Sequence, residues 1–250
     1  MMRRRSIWPT LVVLACLLFW EFIPRSGNTV VFFPPFSDVA LAMGNGIADC
    51  TLLFHAGASI WRALLGIACA CLLAIPIGVV LGRYQRVYQL VEPIVEFFRP
   101  MPSAAVIPVA ILFLGIGPGM KVFVVSFGAT WPLLVSTIYA VRDTDPILIK
   151  TSKTFRLTAT EELFSVVLPA SLGAILSGFR ISVAISLILT VTVEMIAGND
   201  GLGYLILDAE RSFAFPLMYA GIVTVGIVGV CISLLVKWLE RRLLPGGSIQ

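Results

Sequence analysis

The sequence predicts an all-α membrane protein with about six transmembrane helices. Of its 250 residues, 58% are hydrophobic and only 13% are charged, whereas soluble domains carry about 25% charged residues. The apolar residues are grouped into segments of span length, and the cations are concentrated on alternate connections. A soluble globular domain is therefore excluded, and the net charge of +4 reflects membrane orientation rather than binding of nucleic acid.

Six segments have about the length that a bilayer requires, which is about 20 residues with a range of about 17 to 25. They are 7–23, 60–81, 103–116, 122–141, 172–196 and 217–236. The third is short and flanked by prolines, and we expect an interfacial helix at 87–98 to lengthen it. The pattern predicts one transmembrane domain over residues 1–250, with its core at about 57–240.

Lysine and arginine mark the cytoplasmic side of membrane proteins. With the N-terminus inside, thirteen of the 18 Lys and Arg residues fall on cytoplasmic ends and connections. They lie within 3–5, 83–99, 142–156 and 237–242. Both termini and the long interval 142–169 are therefore predicted to be cytoplasmic.

The first span begins after three arginines, as a signal peptide does. No small-residue cleavage pattern follows its apolar core, because residues 22–25 are Phe, Ile, Pro and Arg, so we expect an uncleaved span. The outward segment after it contains helix-start residues at Ser37 and Asp38. It also contains the single histidine, His55, to which we assign no metal role because there is no second histidine.

Small residues recur at every fourth position of the second span. They are Gly66, Ala70, Ala74, Gly78 and Gly82. In lipid, this spacing lets helix backbones approach each other closely. We expect a seam of contact with another helix, and we prefer static packing to a sliding role in transport.

The interval 142–169 is the longest charged interruption between two apolar segments, and connections of this length are usually functional. Asp145 before Pro146 is a helix start, and Thr158 with Glu161 matches a capping box. We predict two short helices outside the bilayer, the second ended by the proline that closes the interval. These local signals fit a solvated helix-turn-helix and a docking element for a partner protein equally well.

The fifth span carries a polar stripe with one residue at every fourth position. Its members are Ser182, Ser186, Thr190 and Glu194. A charged carboxyl at mid-membrane costs roughly 2.5 to 3.5 kcal/mol, so Glu194 should face protein or water. The glycine-rich stretch that follows lacks the βαβ context of a dinucleotide site, and we expect a tight turn with a short interfacial helix at 205–211.

Several chemistries have no candidate residues in this sequence. No stretch matches the phosphate-binding pattern GxxxxGK[ST], so ATP hydrolysis is not expected of this chain. A Ser/His/Asp set and paired intramembrane carboxylates are also missing, which argues against a hydrolase and a proton pump. The five cysteines lack metal-ligand spacing and are interpreted as small hydrophobic residues. We predict no catalytic site, no metal site and no cofactor bound by this chain.

Six further motifs occur between about residues 33 and 242. They are PPFSDV (34–39), SIWRALLGIA (59–68), IPIGVVLG (75–82), EPIVEFFRPMPSAAVIPVAILFLGIG (92–117), VVLPASL (166–172) and GLGYLILDAERSF (201–213). In this order they resemble the permease subunits of bacterial binding-protein-dependent ABC importers, in the branch for nitrate, sulfonates and taurine. The resemblance implies a type I importer permease fold in the bacterial inner membrane. It also implies a second copy of this chain, two cytoplasmic ATPase subunits that bind ATP, an external substrate-binding protein, and transport of a small anion by alternating access.

The family's cytoplasmic signature is an EAA triplet, a glycine four residues after its end, and a closing Leu-Pro pair. In this chain the Leu-Pro pair is present, but a lysine, a threonine and a serine stand at the triplet and Arg156 stands at the glycine. The resemblance implies that 142–169 is a coupling helix pair that contacts an ATPase. The residues assigned to this contact are Lys150, Thr151, Ser152, Phe155, Arg156, Leu157, Leu168 and Pro169.

For the solute path we assign the polar stripe of the fifth span together with Met195. One alternative is a secondary transporter or channel that uses Glu194 as its ionisable group and needs no ATPase. A membrane enzyme is a second alternative, which the missing catalytic groups disfavour. A neighbouring gene for an ATPase and another for a secreted binding protein would favour the importer.

Overall fold

A computed structural model describes residues 8–25 and 32–243 of the chain. These residues form α-helices, one 3-10 turn and one π-helical turn, with no β-strand among them, which confirms the predicted all-α fold. The α-helices are α1 (Trp8–Arg25), α2 (Phe36–Ala48), α3 (Thr51–Arg83), α4 (Gln85–Phe98), α5 (Ile107–Leu114), α6 (Pro118–Arg142), α7 (Pro146–Thr154), α8 (Ala159–Glu162), α9 (Leu168–Ala197), α10 (Leu202–Arg211) and α11 (Phe215–Leu243).

Four described helices are long and apolar enough to cross a bilayer. They are Thr51–Arg83, Pro118–Arg142, Ala159–Ala197 and Phe215–Leu243. A bent pair of shorter helices brings the number to five. Helix α1 covers the predicted first span from Trp8 onward but is not among the four, and residues 1–7 lie outside the described residues. The described part of the chain therefore has four to five spans, compared with about six predicted.

The centre of the bundle is formed by α3, α6 and α9. Small residues of α3 make the contact with α6, because a Cβ atom added at Gly66 would lie 2.4 Å from Val125 Cγ1. A Cβ atom at Gly78 would lie 2.7 Å from Thr137 Cβ, and Ala74 between them is fully buried. The predicted seam is confirmed, and it lets the two backbones pack closely.

The prediction that Pro169 ends the second loop helix is wrong. Helix α8 continues through a π-helical turn, Leu163–Val167, into α9, so that Ala159–Ala197 is one helix of 39 residues. A proline inside a helix clashes with the carbonyl group four residues before it. The wider π turn directly before Pro169 provides the space that its ring requires. One continuous helix therefore joins the loop element to a membrane span.

The helix expected at 87–98 is present as α4, and a sharp bend separates it from the third predicted span, 103–116. Helix α4 and the segment Ser103–Leu114, which contains the 3-10 turn and α5, are bent by 88° relative to each other. The break between them is the sequence Arg-Pro-Met-Pro at 99–102. The ring of Phe98 stacks on Trp131, with 5.3 Å between ring centroids. Trp131 is next to the midpoint of α6, so the break lies at mid-height of the bundle. Arg99 is therefore not on a connection at the cytoplasmic end, where the charge count places it.

Short helices cover the end of the bundle where α3 begins and α9 ends. We call it the cluster end, after the cluster of charged side chains around Glu194. Helix α10 lies there and confirms the predicted short helix after the glycine-rich stretch. Ser37 does not cap α2, whose N-cap is Pro35. Instead, its backbone N–H and its hydroxyl bind the carboxylate of Glu21 in α1, at 2.9 and 3.1 Å. The opposite end, which carries α7, is called the loop end.

Candidate functional sites at the two ends of the bundle

The element at the loop end has two helix starts that are fixed by side chains. The Asp145 carboxylate accepts a hydrogen bond from the backbone N–H of Ile147 at 2.7 Å, at the start of α7. Thr158 and Glu161 form the reciprocal hydrogen bonds of a capping box at the start of α8. Both predicted helix starts are confirmed. Because such caps stabilise helix ends, the element has a defined shape.

A buried carboxylate joins this element to the membrane spans. Glu162 is only 4% exposed. It accepts a hydrogen bond from Ser152 Oγ of α7 at 2.7 Å and forms an ion pair with Arg83 at the end of α3. Charged side chains are rarely buried unless they are paired. Helix α7 therefore cannot shift relative to α3 and the long helix without breaking these contacts.

Around this contact the element exposes apolar side chains. Phe155 is 74% exposed, Ile147 is 68% exposed and Phe164 is 64% exposed. Exposed large apolar groups on a polar element are typical of a protein interaction surface. Of the residues assigned to ATPase contact, Ser152 is buried, and Leu157 and Leu168 are half-buried. The others are exposed, namely Lys150, Thr151, Phe155, Arg156 and Pro169.

Arg156 follows α7 in a left-handed backbone conformation, with φ of +53°. A residue with a Cβ atom is strained there by about 1 to 2 kcal/mol, whereas glycine is not. The family signature has glycine at this position. The turn therefore keeps the backbone shape that favours glycine although the side chain is that of arginine.

At the cluster end, Glu194 forms a fully buried ion pair. Its side chain has no exposed surface, and its Oε1 accepts a hydrogen bond from Arg62 Nη1 of α3 at 2.7 Å. Its Oε2 accepts hydrogen bonds from Ser59 Oγ at 2.7 Å and from the backbone N–H of Gly203 at 3.1 Å. Both carboxylate oxygens are thus paired within the chain. Glu194 faces protein, which is one of the two environments predicted for it.

The glycine-rich stretch closes over this carboxylate. A Cβ atom added at Gly201, where φ is +103°, would lie 2.2 Å from Glu194 Cδ. A Cβ atom at Gly203 would lie 2.2 Å from the carbonyl oxygen of Val191. The predicted tight turn is confirmed, and glycine is required there because the backbone passes too close to the carboxylate for a side chain.

Asp200 brings a second carboxylate to the same cluster. It accepts a hydrogen bond from Arg62 Nη2, and its Oδ1 lies 3.6 Å from Lys121 Nζ. Burial acts to raise the pKa of Asp200, but the hydrogen bond from Arg62 and the two positive charges outweigh it, so the pKa is lowered from 3.8. The carboxylate is therefore charged at neutral pH, and its ion pairs weaken only when the pH falls through this lowered pKa.

Sequence reasoning missed the partners of Glu194. The charge count leaves Arg62 and Lys121 outside the cytoplasmic groups, and no sequence pattern assigns a partner to His55. His55 Nδ1 instead accepts a hydrogen bond from the backbone N–H of Gly201 at 3.0 Å. Arg62 and Glu194 are 132 residues apart, so no local spacing joins them. One feature of the sequence could have indicated this pair: two opposite charges each interrupt an apolar stretch near the same end of the bundle.

The rest of the polar stripe of α9 is buried against α3 and α6. Ser182 and Thr190 have no exposed surface, Ser186 is 2% exposed, and Met195 is half-buried. The hydroxyls of Ser186 and Thr190 bind carbonyl oxygens of the preceding turn. Ser182 Oγ has no hydrogen-bond partner among the described residues. The stripe lies in a helix interface within one chain, and its assignment to the solute path stays a prediction.

The described residues contain no group of three or more His, Cys, Asp or Glu side chains that could hold a metal ion. The five cysteines are free thiols, four of them exposed on the surface of this single chain.

Comparison with known proteins gives a matching family and two informative relatives. Residues 74–245 match the family described as binding-protein-dependent transport system inner membrane component. The chain is 29% identical over 254 residues to the taurine transport system permease protein TauC of Escherichia coli K12, covering 98% of this chain and 92% of the relative. It is 27% identical over 201 residues to the nitrate import permease protein NrtB of Synechocystis sp. PCC 6803, covering 80% and 73%.

Among solved structures, an inward-facing form of the MetNI methionine ABC transporter matches the fold with a TM-score of 0.66. The match has 18% sequence identity and covers 75% of this chain and 93% of that chain. It confirms the predicted type I importer permease architecture. Since the matched family extends over more than half of the residues, this chain belongs to the family of binding-protein-dependent transport system inner membrane components.

Proposed function

We propose that this chain is the membrane subunit of an ATP-driven importer for a small anion such as taurine, a sulfonate or nitrate. Membership of the permease family supports the transport role, and the names of the relatives TauC and NrtB supply the class of solute. The complete importer would contain a second copy of this chain, two ATPase subunits and an external substrate-binding protein. In this arrangement the loop end and both termini face the cytoplasm.

The observation that carries this proposal is the construction of the loop end. Glu162 connects α7 to the end of α3 and to the long helix, while Phe155 remains 74% exposed. An element of this kind transmits the displacement of a partner to the spans, because it is rigid inside and apolar outside. A flexible loop would absorb the same displacement.

The cluster end suits the opposite task in alternating access. Arg62 connects α3 to the end of α9 and to the turn before α10 through Glu194 and Asp200. This end would move as one body when the loop end is displaced, and it would offer α10 and its surroundings to the external binding protein. Ser182, Ser186 and Thr190 would meet a solute only if α9 separated from α3 and α6.

The alternative of a secondary transporter requires Glu194 to bind and release a proton or an ion. Glu194 is fully buried and accepts three hydrogen bonds, one of them from an arginine. Donors from the chain itself therefore occupy both carboxylate oxygens. This environment favours a structural role for Glu194 and therefore favours the ATP-driven importer.

The test is the affinity of this chain, reconstituted in nanodiscs, for the ATPase subunit that is encoded by a neighbouring gene. Phe155→Ala should weaken binding by about tenfold or more, as expected for a central aromatic contact. Phe213→Ala is the matched control, because Phe213 is 72% exposed but lies at the cluster end. Equal affinities for the two variants would remove the docking assignment.

A charge reversal at the same element tests coupling. Arg156→Glu should reduce the stimulation of ATP hydrolysis by the loaded binding protein, and it should reduce uptake in parallel, because it changes the charge of the surface that faces the ATPase. The spans should stay folded, since Arg156 is exposed. Unchanged stimulation and uptake would contradict the assignment.

A further inference from the structure

A groove lined by both polar and apolar side chains runs along α6 and α9 from mid-height of the bundle to the loop end. It consists of two adjoining cavities of about 400 and 660 Å³, which share Arg99, Val135 and Ser136 in their linings. The first cavity reaches Gly128 and the second reaches Asp143. These residues are 15 positions apart, which corresponds to about 22 Å of helix. The groove is therefore longer than one leaflet of the hydrocarbon core, which is about 15 Å thick.

The helix break at 99–102 lies beside this groove. Arg99, Met101 and Ser103 line the first cavity together with Trp131, one residue past the midpoint of α6. Non-helical backbone at membrane depth is tolerated only where it is buried in protein or lines a water-filled space. Residues 99, 100 and 102 of the break are exposed on this chain, so in a membrane the break faces either a water-filled space or a second copy of the chain.

Arg99 is the cationic side chain that the two cavities share. Its side chain is 54% exposed, and its nearest carboxylate partner is Glu96, with 3.9 Å between Nη1 and Oε1. An ionisable residue at mid-membrane is costly in lipid and is by default a candidate functional group. The guanidinium presents up to five N–H donors in a planar fork, which suits the oxygens of an oxyanion.

The other polar groups that line the groove include hydroxyls along its length and two carboxylates at its mouth. Ser103 and Ser136 line the cavity with Arg99, and Asp143 and Asp145 lie at the loop end of the second cavity. Negative charge at the mouth repels an anion, whereas the half of the groove around Arg99 attracts it. An anion inside the groove is therefore most stable beside Arg99.

We propose that Arg99, with the hydroxyls of Ser103 and Ser136, forms a contact site for a small oxyanion such as a sulfonate or nitrate. The proposal rests on the proposed import function and names the site that the solute meets. It places the solute against the face of α9 that carries Ile181 and Ile185, and not against the buried stripe of serines and threonine.

The test measures the reactivity of a cysteine placed in the groove. The five native cysteines are replaced by alanine and Ser136→Cys is introduced into the purified chain in nanodiscs. Its rates of modification by sulfonatoethyl methanethiosulfonate, which is anionic, and by trimethylammonioethyl methanethiosulfonate, which is cationic, are then compared. Arg99→Gln should slow the anionic reagent and speed the cationic reagent by about fivefold each, the factor expected for two unit charges 4 Å apart in water, so the anionic-to-cationic rate ratio should fall by about 25-fold.

Two controls keep this test decisive. Ser165→Cys, on the exposed side of the loop element, should show a ratio that Arg99→Gln does not change, and Arg99→Lys should preserve the ratio at Ser136→Cys. Ser103→Cys provides a second position in the first cavity if the variant at 136 does not fold. An unchanged ratio at the groove position, or a cysteine that neither reagent reaches, would overturn the proposal.

Labelling requires neither the ATPase nor the binding protein, so it can fail independently of the proposed function. In the reconstituted importer, Arg99→Gln should lower taurine or nitrate uptake by about tenfold and leave the affinity for the ATPase unchanged. Normal uptake by this variant would remove the groove site and leave the import function intact. Uptake without any ATPase would remove the import function and leave the labelling result unaffected.

Discussion

The two ends of the bundle use the same contact in different surroundings. At each end, α3 supplies an arginine and the long helix supplies a buried glutamate, which gives the pairs Arg62 with Glu194 and Arg83 with Glu162. Glu194 is enclosed by the glycine turn and has no exposed surface. Arg83 remains 32% exposed, and the helices around its pair carry exposed apolar residues. An ion pair therefore closes one end of the bundle, and at the other end it holds an element that exposes apolar side chains.

The two ion pairs are alike, so the difference between the two ends lies in the residues that surround each pair. At the cluster end every charged group described near Glu194 finds a partner inside the chain, so little is left for a ligand. At the loop end the polar groups are used internally, while Phe155 and Ile147 point away from the bundle. The first arrangement is typical of structural stability and the second of recognition.

The largest effect is expected from breaking the pair at the cluster end. Glu194→Gln leaves Arg62 buried without its main carboxylate partner, and loss of one member of a buried pair costs about 3 to 5 kcal/mol. The apparent Tm of the detergent-purified protein should fall strongly. Ser182→Ala is the matched control on the same helix, because removal of a buried hydroxyl without a partner is close to neutral or slightly stabilising. Similar Tm values for the two variants would contradict the central role of Glu194.

A smaller effect is expected from breaking the pair at the loop end. Glu162→Gln weakens the contacts with Arg83 and Ser152, and because Arg83 is partly exposed the loss should be about 1 to 3 kcal/mol. The protein should stay folded while the amides of α7 exchange with deuterium faster. Glu161→Gln serves as the control, since glutamine also completes a capping box. Slow exchange of α7 in both variants would mean that Glu162 does not hold the element.

The smallest effect is expected from relieving the left-handed turn. Arg156→Gly removes the strain of a Cβ atom at φ of +53° and should raise stability by up to about 1 kcal/mol, seen as a small rise in Tm. Arg156→Ala separates the effect of backbone strain from the effect of side-chain charge, because it removes the guanidinium but keeps the Cβ atom. This variant should show no rise in Tm. A rise of equal size in both variants would indicate that charge, and not backbone strain, is responsible.

Features that depend on neighbouring residues in the chain were predictable from the sequence. The helix starts at Asp145 and at Thr158 with Glu161 were found because a cap and its acceptor lie two or three residues apart. The seam of α3 was found because a spacing of four is visible in one helix. Motif order was sufficient for the family and for the fold.

Features that depend on contacts between distant segments were not predictable in the same way. Arg62 and Glu194 meet only after α3 and α9 pack side by side, and nothing local to either residue indicates the other. The passage of the long helix through Pro169 depends on a π turn that has no simple sequence pattern. The position of Arg99 depends on the 88° bend between α4 and α5, whereas charge counting places every arginine between spans at a membrane surface.

The most direct test of the account is uptake by proteoliposomes that contain this chain, with and without its ATPase, ATP and a binding protein loaded with taurine or nitrate. Accumulation is expected only when all of these components are present, and the chain alone should give no transport under a proton, sodium or solute gradient. Transport by the chain alone would contradict the claim that its driving force arrives from a partner through the loop end.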